Sequence, residues 1–408
     1  MPPAGVFRQA ANPWFGWHDD ARLIGSEGAE VPRGVDFGQA LPDRPGGAAL
    51  AAVLVGQGRA FRIGGEGEVA AGFGCFETLT GGSLGSARRV VRTQASWLAS
   101  FAVNAGLFNL GPGVRVAVPG RLSQSLALYG ALEGLCLGAE VHLLDGLRPD
   151  RMARAVAERR IGVIYATPVH LAQMVASGLQ WPALRLVLVG GAKLEPGLRA
   201  GLAALAPAAV VREFYGAAEA SFITLATPED PPDTVGRPYP GVSLRICDTG
   251  GADLPDGMVG EVWLRSPYVF QRYAGTDPGL ARWRGAWLTV GEIGQMTRHG
   301  LILRGRAGRM VTIAGQNVFP EDIERFLAGV PGVAQAAVLA RRDATRGHVL
   351  LAVLMGERAM ERDILAAARE RLGPMLAPRG VIWRDDWPTL GSGKTDLAVL
   401  QAEVDAWR

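Results

Sequence analysis

The sequence predicts an α/β protein: a large N-terminal domain of mainly parallel sheets with a small β subdomain, followed by a small α+β C-terminal domain. Three observations predict this. From residue 94 to about 248, short apolar runs alternate with helical segments, the pattern of a parallel sheet covered on both faces. Between residues 235 and 290 the pattern turns to strands and turns, in VSLRICD, GEVWLRS and AWLTVGEIG. Past Gly305, Gly308 and Gly315, the remainder reads β, β, α, β, β, α. The first domain is therefore assigned to residues 1–305, with its β subdomain at about 235–300, and the second to 306–408.

In order, residues 1–48 are rich in Gly, Pro and aromatics and read as a packed N-terminal arm. The apolar run 50–55 reads as a buried strand. Residues 77–90, ETLTGGSLGSARRV, hold a flexible hydroxyl-bearing loop of Thr80, Gly81, Gly82, Ser83 and Gly85, followed by Arg88 and Arg89. Glycine backbone N–H groups, hydroxyls and arginines together suit phosphate oxygens, although the Walker ending is missing. Helices are expected at 94–107, 123–137, 150–159, 169–177 and 196–205, and strands at 114–118, 141–144, 163–166, 184–189 and 210–214. Ligands of such sheets sit in loops beyond the carboxyl ends of the strands. Two such loops stand out: Gly190-Gly191-Ala192-Lys193 and Tyr215-Gly216-Ala217-Ala218-Glu219. The first lets a flat group approach the backbone. The second places an aromatic face four residues from a carboxylate, a pair suited to stacking a base and holding magnesium. After two short strands past Gly305, a helix is expected to start near Pro320 with acidic residues in its first turn.

Composition narrows the function. The chain has 408 residues, 48% hydrophobic and 20% charged, with a net charge of +3, so it is globular and carries no strong field for nucleic acid. Cys75, Cys136 and Cys247 form neither a metal spacing nor a disulfide framework, which fits a reducing cytoplasm. His18, His142, His170, His299 and His348 include no i,i+4 pair, which argues against zinc. The first residues lack the basic head and apolar core of a signal peptide, and no window is apolar for long enough to span a membrane. All basic side chains are arginine except Lys193 and Lys394. A chain that uses arginine this heavily retains lysine where a compact, mobile ammonium matters. Lys394 follows Gly391-Ser392-Gly393, a loop able to present it to a phosphate or carboxylate.

Six of these stretches, in this order, resemble the acyl-adenylate-forming superfamily of acyl-CoA synthetases, peptide-synthetase adenylation domains and luciferase-type enzymes. The resemblance runs from about Thr78 to Asp396. TGGSLGSARRV is similar to the family's phosphate loop, VGGAKL to its adenine-contacting turn, and FYGAAEAS to its Tyr-Gly-x-Thr-Glu motif. LTVGEIG resembles the Thr-Gly-Asp motif, GRAGRMVTIAGQNVFPEDIE the hinge and thiol-facing loop, and LGSGKTDL the loop of the adenylation lysine. The resemblance implies activation of a carboxylic acid by Mg-ATP to an acyl-adenylate, then transfer to the thiol of coenzyme A, with a mobile C-terminal domain. It implies Lys394 and Glu219 as catalytic, with Glu219 holding Mg2+. It implies nucleotide contacts from Thr80, Gly82, Ser83, Gly85, Arg88, Gly190, Gly191, Ala192, Tyr215, Gly216, Ala217, Ala218, Glu292, Arg306 and Gly315.

The chain departs from the pattern at Leu84, Arg88, Ala218, Glu292, Gly308 and Thr312. Arg88, Glu292, Gly308 and Thr312 replace the expected lysine, aspartate, hinge aspartate and lysine, and Ala218 the expected threonine. The chain is also shorter than a typical member, the loss lying before the phosphate loop. Two alternatives stay open: an adenylating ligase that loads an acyl carrier protein, and a catalytically weak acyl- or nucleotide-binding protein.

Overall fold

The computed structural model describes residues 13–34, 38–80, 88–275, 281–313, 316–343, 347–390 and 394–407. At its centre lies an eight-stranded sheet. Its order is Arg22–Ile24, Glu140–Leu143, Arg115–Val118, Val163–Ala166, Leu186–Val189, Val210–Ala217, Ser221–Leu225 and Arg237–Pro238. The first six strands pair in parallel and the last two antiparallel.

Strand side chains alternate faces, and the two faces carry separate cores. Val116, Val118, Tyr165 and Leu188 pack with Trp97, Phe101, Leu128 and Leu132 of the helices Gln94–Phe108 and Ser125–Leu137. Ala117, Ile164, Val187 and Val189 face the other way, onto Met152, Leu171 and Leu202 of the helices Pro149–Glu158, Pro168–Val175 and Pro196–Leu205. Burial on both sides is why these strands read as short continuous apolar runs. The expected elements between 94 and 214 are present, with ends within three residues of those read from sequence.

Residues 50–55 are not a strand. They belong to the helix Gly46–Val55, whose residues Ala49 to Leu54 are all buried. A short apolar run without a period fits either element, and alanine at two of its positions, Ala51 and Ala52, favours the helix. A second, five-stranded sheet runs in the order Arg272–Ala274, Arg89–Thr93, Cys75–Leu79, Phe61–Ile63 and Ala40–Leu41. Residues 77–79 and 89–90, on either side of the expected hydroxyl-bearing loop, are thus strand. The β subdomain is a six-stranded sheet built from Ser243–Cys247, Gly260–Arg265, Arg282–Arg284, Trp287–Thr289, Glu292–Thr297 and Gly300–Arg306.

Beyond it come a hairpin of Val311–Ile313 and Gln316–Val318, the helix Pro320–Ala328, the paired strands Val333–Asp343 and Gly347–Gly356, and the helix Glu361–Leu376. This is the expected β, β, α, β, β, α. A further strand, Val381–Trp383, adds parallel to Gly347–Gly356. The Lys394 loop is not the last element: the helix Leu397–Ala406 follows, its first turn capped by the Asp396 carboxylate on Ala398 N and Val399 N. Leu400 and Val404 bury against Leu351 and Val353, which anchors the segment bearing Lys394.

Candidate active site

Loops at the carboxyl ends of the parallel strands open on one cavity. Gly120, Thr167, His170, Gly191 and Glu219 line it from the large sheet, Thr80 and Arg88 from the second sheet, and Val290, Glu292 and Arg306 from the β subdomain; Lys394 enters from the last segment. Residues separated by more than 300 positions therefore share one space.

Glu219 sits in the turn between Val210–Ala217 and Ser221–Leu225. A bulge at Tyr215/Gly216 breaks the pairing there, and a Cβ on Gly216 would lie 2.3 Å from Ser221 O, so the turn requires glycine. The Tyr273 hydroxyl donates to Glu219 Oε1 at 2.6 Å. Arg92, fully buried, donates to Ala218 O at 2.5 Å and Ser221 Oγ at 2.8 Å, and also to Tyr268 O. Its guanidinium lies 5.6 Å over the Trp97 ring, and Trp97 Nε1 donates to Ser221 Oγ at 3.0 Å. Burial pulls the Arg92 pKa down to about 9, with Glu219 opposing. Ser221 holds φ 59, a left-handed conformation rare outside glycine, and its hydroxyl is gripped from two sides.

Glu292 and Arg306 are register partners on antiparallel strands, and Arg306 Nε donates to Glu292 Oε1 at 3.0 Å. Desolvation raises the Glu292 pKa against Arg306's opposing charge. Glu292 in turn raises that of Arg306. Lys394 lies beside Gly191, its Cε 3.8 Å from where a Cβ on that residue would stand. Burial first, then Arg306, lowers the lysine pKa, while Glu292 and Glu219 raise it. Around the lysine, Leu390 N donates to Lys394 O at 2.8 Å and Asp396 N to Pro388 O at 2.9 Å. Lys193 is engaged elsewhere, donating to Thr234 O at 2.9 Å and pairing with Glu213 at 3.4 Å.

Thr80 and Arg88 close their loop: Arg88 N donates to Thr80 Oγ1, and Thr80 N to Arg88 O, each at 2.9 Å. Gly82, Ser83, Gly85 and Gly315 lie outside the described residues. Arg89 points away, donating to Glu68 O at 2.6 Å and lying 3.6 Å from Glu77. Gly190 seats the Phe214 ring, since a Cβ there would be 2.4 Å from Cζ. Ala217, Ala218 and Gly216 line the cavity, whereas Tyr215 and Ala192 are not among its lining residues. Tyr215 instead packs between the main core and Ile246, Val262 and Leu301 of the β subdomain, with its hydroxyl buried and unpaired among the described residues. Among the described residues no group of three His, Cys, Asp or Glu side chains could enclose a metal.

Sequence reasoning missed Arg92, Tyr273 and the cavity-lining aromatic residues Trp97, Tyr129, Tyr165, Phe214 and Phe222. Arg92 and Tyr273 sit on strands joined only by sheet pairing, so no local pattern marks them.

A family model described as AMP-binding enzyme matches residues 75–274, and one described as AMP-binding enzyme C-terminal domain matches 322–394. The chain is 30% identical over 346 residues to the uncharacterized acyl–CoA ligase YhfT of Bacillus subtilis, covering 80% of this chain and 67% of that one. It is 28% identical over 346 residues to a feruloyl-CoA synthase of an Amycolatopsis species, covering 81% and 69%. The chain thus spans about two thirds of the length of these two relatives. The amide bond synthetase McbA from Marinactinospora thermotolerans superposes with a TM-score of 0.76 at 24% identity, over 91% of this chain and 90% of that one, a likeness of fold. With both domain models and the YhfT alignment in agreement, the chain belongs to the AMP-binding enzyme family.

Proposed function

We propose that the chain activates a carboxylic acid with ATP and passes the acyl group to the thiol of coenzyme A. One observation carries this reading: Lys394, from the last segment, enters the same cavity as Glu219, Glu292 and Arg306. In the first step a carboxylate oxygen bonds to the α-phosphorus and the bond to pyrophosphate breaks. Negative charge grows on the phosphoryl oxygens, where a mobile ammonium and a guanidinium are worth most in a site closed to water. In the second step the thiol sulfur bonds to the acyl carbon, and AMP leaves with the electron pair.

The residues divide the work. Lys394 meets the developing charge; a bound polyphosphate favours its protonated form and offsets the effect of burial. Glu292 and Arg306 hold ribose and phosphate. Gly191, Gly216, Ala217 and Ala218, all four in the cavity lining, flank the base. Thr80 and Arg88, with Gly82, Ser83 and Gly85, take the outer phosphates. Glu219 offers a carboxylate oxygen to Mg2+, which takes one or two carboxylates and completes its shell with phosphate oxygens and water; Glu219, in the cavity and steadied by the Tyr273 hydroxyl, fits that donor set. When bound, Mg2+ neutralises phosphate charge. Residues 1–305 and 306–408 act as two bodies, with the pivot at Gly308.

We place the protein in the cytoplasm, on the strength of three cysteines that are all free thiols. Among the described residues no helix is long and apolar enough to cross a membrane. The test is carboxylate-dependent exchange of labelled pyrophosphate into ATP with a panel of acids, followed by thioester formation on coenzyme A or on a carrier protein. Exchange and a coenzyme A thioester are expected. A thioester on carrier protein alone would reassign the acceptor. No exchange with any acid would leave a binding protein and overturn the reading.

A further inference from the structure

The cavity lining includes residues of two kinds. Glu219, Glu292, Arg306 and Lys394 are charged; Trp97, Tyr129, Tyr165, Phe214 and Phe222 are aromatic. These five rings come from two helices and three strands of the main domain, and they are wedged together. Trp97 meets Tyr129 edge-on at 5.1 Å, Tyr129 meets Phe222 at 5.4 Å, and Phe222 meets Phe214 at 4.2 Å.

Two rings are backed by main chain. A Cβ on Gly130 would lie 2.7 Å from Tyr165 Cγ, and one on Gly190 2.4 Å from Phe214 Cζ. Neither ring has room to retreat. The tyrosine hydroxyls are committed to a buried network behind the wall. Tyr165 donates to Glu133 Oε2. The Tyr129 hydroxyl is 2.7 Å from Ser100 Oγ and accepts from Asn104 Nδ2 at 3.1 Å. Asn104 also donates to Glu133 Oε1 at 2.8 Å, and Tyr239 to Asn104 Oδ1 at 2.7 Å.

We infer that this aromatic wall receives the body of a compact aromatic carboxylic acid, one ring deep, and excludes long alkyl chains. The inference rests on the acid-activating reading above. A ring meets rings in edge-on and offset contacts, which this fixed wall supplies without rearrangement. A long flexible chain needs a channel past the wall, and Gly130 and Gly190 deny the rings the space to open one. A nucleobase is the rival flat occupant, but its edge donors and acceptors would face rings whose own hydroxyls are already bound, and buried polar groups without partners are costly. An aromatic acid has one polar group, the carboxylate, and the charged residues of the same cavity are where that group is used.

The experiment compares benzoate, cinnamate, octanoate and palmitate in the pyrophosphate-exchange assay. The better aromatic acid is expected to exceed both alkyl acids in kcat/KM by about 10²-fold, the upper range for discrimination by an apolar pocket. An alkyl acid equal to or better than both aromatic acids overturns the inference while leaving acid activation standing. Exchange with none of them fails the parent reading; calorimetric titration of benzoate and octanoate onto the full chain then decides this one. Benzoate binding the more tightly supports it, and octanoate binding the more tightly, or neither binding, overturns it. Phe214→Ala is expected to weaken benzoate about tenfold without weakening octanoate, with Phe214→Leu as a volume-preserving check on folding. Equal losses for both acids in both variants would count against a ring-selective wall.

Discussion

Glu292 and Arg306 stand opposite each other on antiparallel strands, joined Nε to Oε1 at 3.0 Å. The pair is positional before it is catalytic. Each holds the other at the wall of the cavity. Glu292→Ala should raise KM for ATP about tenfold, and raise it more than KM for the acid, because a lost ground-state contact is mostly uniform binding. Equal increases for both substrates, by steady-state kinetics, would show that the pair does not hold the nucleotide.

Lys394→Ala should slow acyl-adenylate formation about 10²-fold or more, as loss of a charge partner in the transition state does. Thiolysis of a supplied acyl-adenylate should change much less. Rapid-mix measurement of each half-reaction checks this, and equal losses in both would make Lys394 structural.

Glu133 is a titrating group within the fold. Burial raises its pKa to about 8 from an ordinary 4.5, against hydrogen bonds from Tyr165, Asn104 and Tyr129 that lower it. The folded state holds this proton where the unfolded chain releases it, so the group's stabilising contribution is full below about 4.5 and declines as pH rises through about 8. Glu133→Gln should flatten that decline. Urea midpoints across this range check it; an unchanged slope would place the titration elsewhere.

The helix Pro320–Ala328 clasps the end of the strand Gly300–Arg306. Glu321 Oε1 accepts from Arg306 N at 3.2 Å, Arg325 donates to Leu303 O at 3.0 Å, and Arg304 lies 3.3 Å from Asp322. A rotation about Gly308, as proposed above, would have to break these contacts. Gly308→Pro, which fixes φ near −65°, should leave a folded protein that keeps adenylation and loses thioester formation. Normal melting with both half-reactions at unchanged rates would show that Gly308 is not the pivot.

Much of this was legible in the sequence, for physical reasons. The strand Val163–Ala166 and the helix Pro196–Leu205 were read to the residue because a strand buried on both faces and a helix opened by proline each leave a local mark. Glu219 and Lys394 stood out in glycine-bearing loops, and Glu292 and Arg306 through the resemblance of their motifs, although both lie on strands; all four line one cavity. The helix Gly46–Val55 was not, because an apolar run with no polar face has no period to read. The second sheet was hidden for another reason: its strands are short, and two of its neighbouring pairs join segments far apart in the chain. Arg92 and the Glu133 network were invisible because burial, not residue type, makes them consequential.

The shortage of lysine has a chemical consequence. Of the two side-chain amines in 408 residues, one is tied to Thr234 and Glu213. The other lies in the cavity, with a lowered proton affinity that leaves more of it as free, nucleophilic amine at a given pH. An amine-acylating reagent therefore meets a nearly blank surface, and the fraction of label carried by Lys394 becomes a direct gauge of whether the cavity is filled.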